Sequence, residues 1–100
     1  MANISVAGDT STHGGAPFNQ GLSTTVFAGN KAVAVKDQTT SSSPDSQYDG
    51  NLRPQHSAAN QKANAGSTKV FANNKPIHRV GDARIDGATS GPGIASVQID

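Results

Sequence analysis

The chain has no cysteine and no glutamate, and it is poor in large apolar side chains. Leu, Ile, Val and Phe together supply 17 of 100 residues, beneath the ~20% at which chains drift towards disorder. Another 14 of the 33 apolar residues are Ala, so any core is thin. A domain this short buries only marginally enough surface, and the usual supplements are disulfides, a bound metal or association with another chain. The absence of Cys excludes the first and leaves the redox compartment open. The absence of Glu removes a common general base. Ser, His and Asp are plentiful, but no Gly-x-Ser-x-Gly elbow, phosphate loop or His-Glu-x-x-His accompanies them, and no enzyme is expected.

Strong charge is also missing. Eight Lys/Arg against seven Asp leave a formal +1, which provides no basic field for nucleic acid. Because disorder also calls for a large net charge, a folded state is compatible with this balance. Lys62, Lys69 and Lys75 are scattered and read as solvating residues rather than as an anion-binding face. The longest apolar runs, such as 32–35, span a few residues, far short of the ~20 needed to cross a bilayer. No apolar segment near Met1 follows a basic start, so no signal peptide is expected. The length allows one domain, residues 1–100.

What is present is a repeat. Val26-Phe27-Ala28-Gly29-Asn30-Lys31-Ala32-Val33 returns 44 positions later as Val70-Phe71-Ala72-Asn73-Asn74-Lys75-Pro76-Ile77, with five positions identical. Each copy places apolar β-formers on either side of two residues that tolerate positive φ, the pattern of a two-residue hairpin. Pro76 lacks an amide donor and belongs on an edge or turned away from the ladder. An aspartate follows each hairpin, in Val35-Lys36-Asp37 and Val80-Gly81-Asp82, and a third opens the chain in Ala7-Gly8-Asp9. These aspartates precede turns and are expected to accept backbone amides, with Arg79 pairing locally to Asp82. Each then leads through a Gly- and Ser-rich turn into a strand, the last being Val97-Gln98-Ile99-Asp100. The expected fold is therefore all-β: short hairpins and strands in a small body of approximate threefold symmetry.

The middle copy is longer. Asp9 and Val26 lie 17 residues apart and Asp82 and Val97 lie 15 apart, but 33 separate Asp37 from Val70. The extra residues form an insertion at about 38–55. Its Thr39-Thr40-Ser41-Ser42-Ser43-Pro44-Asp45-Ser46 stretch is polar, aperiodic and expected to be a solvated loop. Residues 57–65 admit a short helical turn.

Registering the copies on their aspartates places His13 and Asp86 at equivalent positions, four residues after Asp9 and Asp82. His56, 14 residues before Val70, is the counterpart of His13, 13 before Val26. His78 lies just beyond the second hairpin. Three histidines in 100 residues is an ordinary number for surface residues, and the repeat register argues for more at His13 and His56, while His78 rests on position alone. Imidazole nitrogens and a carboxylate are acceptable zinc ligands, so His13, His56, His78 and Asp86 are the candidate metal donors. Such a site would supply the staple that the core lacks.

Gly8-Asp9-Thr10-Ser11-Thr12-His13-Gly14-Gly15, the two Val-Phe-Ala-x-Asn-Lys hairpins and Pro76-Ile77-His78-Arg79-Val80-Gly81-Asp82 resemble the PAAR-repeat proteins, over nearly the whole chain outside the insertion. The resemblance implies a small β cone that caps a trimeric β-helical spike, one cap per trimer, in type VI secretion systems and contractile phage tails. It also implies piercing of, and transient contact with, the target membrane. Relatives typically hold a structural zinc near the apex through three His and one Cys; Asp86 stands here where Cys is frequent, and iron is the other metal such a site admits. The name motif is altered in both copies, as Pro76-Ile77-His78-Arg79 and Ala32-Val33-Ala34-Val35. The alternative is a metal-stabilised receptor- or glycan-binding tip module, with the insertion as its contact loop. The polar, Asn- and Ser-rich composition and the expected absence of an effector extension favour a virion over a secretion system. Val26, Phe27, Val70, Phe71, Val97 and Ile99 are expected to divide between the core and the base that meets the spike.

Overall fold

The computed structural model describes residues 1–13, 15–48 and 50–100; Gly14 and Asp49, the latter in the insertion, lie outside the described residues. Eight short strands form among the described residues. They are β1 (Ala2–Ile4), β2 (Thr10–Ser11), β3 (Phe27–Ala28), β4 (Lys31–Ala32), β5 (Phe71–Ala72), β6 (Lys75–Pro76), β7 (Ser90–Gly91) and β8 (Ile94–Ile99). They pair antiparallel as β1–β8, β2–β7, β3–β4 and β5–β6.

Both repeated segments are hairpins. The turn residues Gly29 and Asn30 have φ of 57° and 64°, and Asn73 and Asn74 have 52° and 65°. Two consecutive positive φ values define the turn whose twist matches that of paired strands, and Gly and Asn are the residues that reach it with least strain. Pro76 lies opposite Phe71, while the neighbouring Ile77 amide donates to the Val70 carbonyl at 3.0 Å. The missing proline N–H therefore falls where the antiparallel ladder needs none. The third unit is assembled from both chain ends: Asn3 opposes Gln98 and Ala2 opposes Ile99, so β1 and β8 do the work of a hairpin without a connecting turn.

The three units meet in a closed cycle of backbone hydrogen bonds. Ala34 N–H donates to Ser5 C=O (2.9 Å), His78 N–H to Ala34 C=O (2.9 Å) and Ser5 N–H to His78 C=O (3.1 Å). Antiparallel bridges Val6–Val33, Val35–Ile77 and Ile4–Arg79 flank the cycle. Ile4, Val33 and Ile77 are thus equivalent, as are Val6, Val35 and Arg79. Five of these six positions are apolar and buried, and with Ala28 and Ala72 they form the main core. Val26, Val70, Val97 and Ile99 pack half-buried against it, whereas Phe27 and Phe71 turn outwards, 60% and 53% exposed. The sixth ring position is Arg79, whose guanidinium is held by both Asp82 oxygens at 2.9 Å.

The turns after the cycle also repeat, with one correction to the register. Val6 N–H donates to Asp9 Oδ2 (3.1 Å) and Asp9 N–H returns to Val6 C=O (3.1 Å); Arg79 and Asp82 do the same at 3.0 and 2.9 Å. In the middle unit the partner is Thr39, not Asp37: Val35 N–H donates to Thr39 Oγ1 (2.8 Å) and Thr39 N–H to Val35 C=O (3.1 Å). Asp37, at φ 64°, takes the left-handed position that Gly8 (88°) and Gly81 (95°) hold in the other copies. One extra residue moved the capping oxygen along the chain, and a hydroxyl serves because it needs only to accept one amide.

The insertion is not uniformly solvated. Thr39, Ser41 and Asp45 are buried, and the chain then runs through two single-turn 3₁₀ helices, Pro54–His56 and Ala58–Gln61. The second lies where a short turn is expected; the first starts on Pro54, whose fixed φ suits a first helical position. No described helix is long and apolar enough to cross a membrane.

Gly93 (φ 71°) sits at the bulge that feeds β8, where a Cβ would lie 2.6 Å from the Ile4 carbonyl oxygen and 2.5 Å from Val80 Cγ2. Gly8 has positive φ but open space around it. Gly93→Ala is expected to cost about 2–4 kcal/mol from strain plus overpacking, and Gly8→Ala about 1 kcal/mol from strain alone. Urea midpoints of the two variants check the difference; equal losses would refute the close approach of the chain ends.

Candidate metal centre

Pairing of β2 with β7 brings the first unit against the third, in the register Thr10–Gly91 and Ser11–Ser90. His13 follows β2, its amide held by Ser11 Oγ at 3.0 Å. Asp86 sits in the tight turn before β7, where Gly87 N–H donates to Arg84 C=O (3.0 Å) and Ala88 N–H to Asp86 Oδ1 (2.9 Å). His56 ends the first 3₁₀ turn, and Asp45 is drawn in by its amide to the His56 carbonyl at 3.3 Å.

One donor atom from each of His13, Asp45, His56 and Asp86 lies within 4.8 Å of the other three. His56 Nδ1 is 3.2 Å from Asp45 Oδ2 and 3.1 Å from Asp86 Oδ2, and His13 Nδ1 is 3.7 Å from the same Asp45 oxygen. The edges of a tetrahedron with zinc-like bonds measure about 3.3–3.6 Å. His13 Nδ1 is buried with no hydrogen-bond partner, the state of a nitrogen facing a ligand that protein atoms do not supply. The donor set is two imidazoles and two carboxylates, and the residues present fit a divalent cation.

The electrostatics agree. Burial pushes the Asp45 carboxyl up, and the hydrogen bond to Asp86 and its like charge push it further, against the Gln47 amide and His56. Burial also acts to raise Asp86, but hydrogen bonds from Asp45, the Ala88 amide, Gln61 and His56 outweigh it and bring the carboxyl down to about 2. The two carboxyls are thus driven in opposite directions, Asp45 up and Asp86 down. His56 is raised, first by its hydrogen bond to Asp86, against the effect of burial.

Two supporting residues escaped the sequence reading. Arg84 is fully buried, and its guanidinium donates to Ser90 Oγ (2.7 Å), the Ala16 carbonyl (2.8 Å), Gln61 Oε1 (3.0 Å) and the Asp9 carbonyl (3.2 Å) while covering the Phe18 ring at 4.1 Å. Burial lowers it to about 10, so it stays charged at neutral pH. Gln61 carries that charge's influence to the site: its Oε1 accepts from Arg84 and its Nε2 donates to Asp86 Oδ2 at 2.8 Å. Sequence spacing offers no signal for either, because Arg84 and Gln61 are 23 positions apart.

Of the four donors expected from sequence, the structure brings together His13, His56 and Asp86, adds Asp45, and leaves His78 outside the group. His78 belongs to the central cycle, so its side chain enters the core. Nδ1 donates to the Ala65 carbonyl at 2.7 Å, Nε2 is buried without a partner, and the ring meets Phe18 edge-on at 5.5 Å.

A triplicated β body closed by its own termini, with a partly buried His/Asp cluster between units, defines a small structural domain with a group that could hold a metal ion. The family model for the PAAR motif matches residues 7–90, and the chain belongs to that family. No curated protein and no solved structure matches it. The family is one of spike-tip proteins associated with type VI secretion systems and phage tails, structural parts rather than enzymes.

Burial lowers the His78 pKa. With the folded value below the unfolded one of about 6.5, the unfolded chain binds more protons between the two, and stability falls as pH drops through that window. His78→Phe keeps a ring and cannot titrate. The loss in urea midpoint from about pH 7.5 to about pH 5 is therefore expected to be smaller in the variant than in the parent; equal losses would contradict a neutral, buried His78.

Proposed function

We propose that this protein caps the end of a trimeric β-helical spike, one copy per trimer, and gives it a point that aids penetration of a target membrane. The observation that carries the reading is the closed cycle through Ser5, Ala34 and His78. It supports a monomer with three near-equivalent faces, which is what a threefold shaft requires of a single capping chain. The base is proposed at the outer hairpin faces. Phe27 and Phe71 are exposed there, and Gln98 takes the equivalent place in the split third unit. Two exposed Phe rings on equivalent elements of so apolar-poor a chain favour a covered surface. Strand edges of the shaft would also be closed by the cap.

The proposed donors to the metal are His13, Asp45, His56 and Asp86, with zinc the favoured ion. When bound it supplies charge neutralisation and a cross-link between units. His13 and Asp86 bring the first and third units to it, Asp45 brings the insertion, His56 brings the 3₁₀ turn that follows it, and Gln61 orients Asp86. The proposed location is the tip of a contractile injection apparatus, in a phage tail or a type VI system.

Mixed with a trimeric β-helix fragment from the same source, the protein is expected to co-elute at one cap per trimer, and Phe27→Ala or Phe71→Ala to weaken binding by about 2 kcal/mol, roughly 30-fold. Unchanged affinity in both variants would move the base elsewhere. Metal analysis should find about one ion per chain, lost in Asp45→Ala and His56→Ala and retained in His78→Ala; loss in His78→Ala alone would overturn the donor set.

A further inference from the structure

Burial is distributed through the body but sparse after Ser41 in the insertion. Among the described residues between Ser41 and Gln61, both buried, only Asp45 and His56 are buried. The large apolar side chains there point outward, with Leu52 76% and Tyr48 42% exposed. Among the described residues of this stretch no large apolar side chain is buried. At its start Ser42 exchanges two hydrogen bonds with Asn19 (2.9 and 3.0 Å); beyond that, ties run to the cluster, where Ser46 Oγ donates to the His13 carbonyl (2.9 Å) and Gln61 Nε2 reaches the His56 carbonyl (3.3 Å) and Asp45 Oδ2 (3.4 Å). The other two donors, His13 and Asp86, come from outside the insertion.

Docking the stretch without an ion takes two carboxyls out of water, with His56 and Gln61 the groups that meet both of them, and that desolvation opposes it. It also orders residues at about 1–2 kcal/mol each with little apolar burial in return. A divalent cation reverses the first term, because two carboxylates and two neutral imidazoles form a charge-balanced shell for it. The central cycle and the main core contain none of the four donors, so nothing in them needs the ion.

We propose that a divalent cation held by His13, Asp45, His56 and Asp86 is the clasp of residues 42–55, so that losing it releases this segment while the three strand units stay closed. The inference rests on the metal reading above and narrows it, from a staple for the whole fold to a local lock on the insertion. With two nitrogen and two oxygen donors and no thiolate, the clasp suits Zn²⁺, Fe²⁺ or Mn²⁺ and has no sulfur to oxidise.

Hydrogen exchange of the full chain, after chelation and after addition of zinc chloride, tests the clasp, with occupancy read by native mass spectrometry. Protection of peptides covering 42–55 is expected to fall at least about tenfold on metal removal, while peptides covering 26–35 and 70–79 hold theirs. Asp45→Ala is expected to show the released segment even with zinc chloride present. Failure of zinc to bind overturns the metal reading and the clasp with it. Zinc bound with exchange of 42–55 unchanged overturns the clasp and leaves the site standing. Equal loss in hairpins and segment makes the ion a staple of the whole fold, and a protected segment in Asp45→Ala removes Asp45 from the lock; either overturns the clasp.

Discussion

Three peptide groups, those of Ser5, Ala34 and His78, each donate to one member of the cycle and accept from the other. A chain with so few large apolar residues cannot rely on volume to hold three units together, and a backbone cycle requires no side-chain volume. It demands that the three segments approach to hydrogen-bonding distance at one place. That demand decides which neighbours turn inward: Ile4, Val33 and Ile77 on one side, Val6 and Val35 on the other. Where the sixth position carries Arg79, Asp82 neutralises it through two hydrogen bonds. Small side chains suit the cycle, and His78 is tolerated because its ring finds Phe18 and the Ala65 carbonyl beyond it.

The polar interior follows from the same shortage. Where another small domain would place a second set of aliphatic residues, this one buries Arg84, Gln61, Asp45 and the Asp86 carboxyl together with His56 and His78. A charged guanidinium is costly to bury, and here four acceptor oxygens and the Phe18 face surround it. Its field favours carboxylates nearby, and Gln61 fixes one of them in place. The site is thus prepared from beneath by a positive charge and from above by the insertion, with the β2–β7 ladder setting the distance between units one and three.

Much of the fold was legible because the repeat expresses local physics. Gly29-Asn30 and Asn73-Asn74 adopt the positive φ values that their flanking strands require, and Asp9 and Asp82 accept the amides in their own turns. The same register pointed to His13, His56 and Asp86. It misjudged Asp37, because a one-residue shift passed the capping role to Thr39, and alignment on residue type cannot see an oxygen supplied by a different side chain. It passed over Asp45 because a lone carboxylate in a Ser- and Pro-rich stretch looks like any solvated one.

The order of residues alone therefore determined the two hairpins and the turns at Asp9 and Asp82, which depend on contacts within a few positions of each other. Only the tertiary structure decided that His78 lies in the core, that Asp45 joins the two histidines, and that Arg84 sits beneath them. These outcomes depend on which segments the closed cycle and the β2–β7 pairing bring together, across separations as large as the 81 positions between Thr10 and Gly91. No local preference encodes such distances; they are set when three units close on one another and leave one particular space between them.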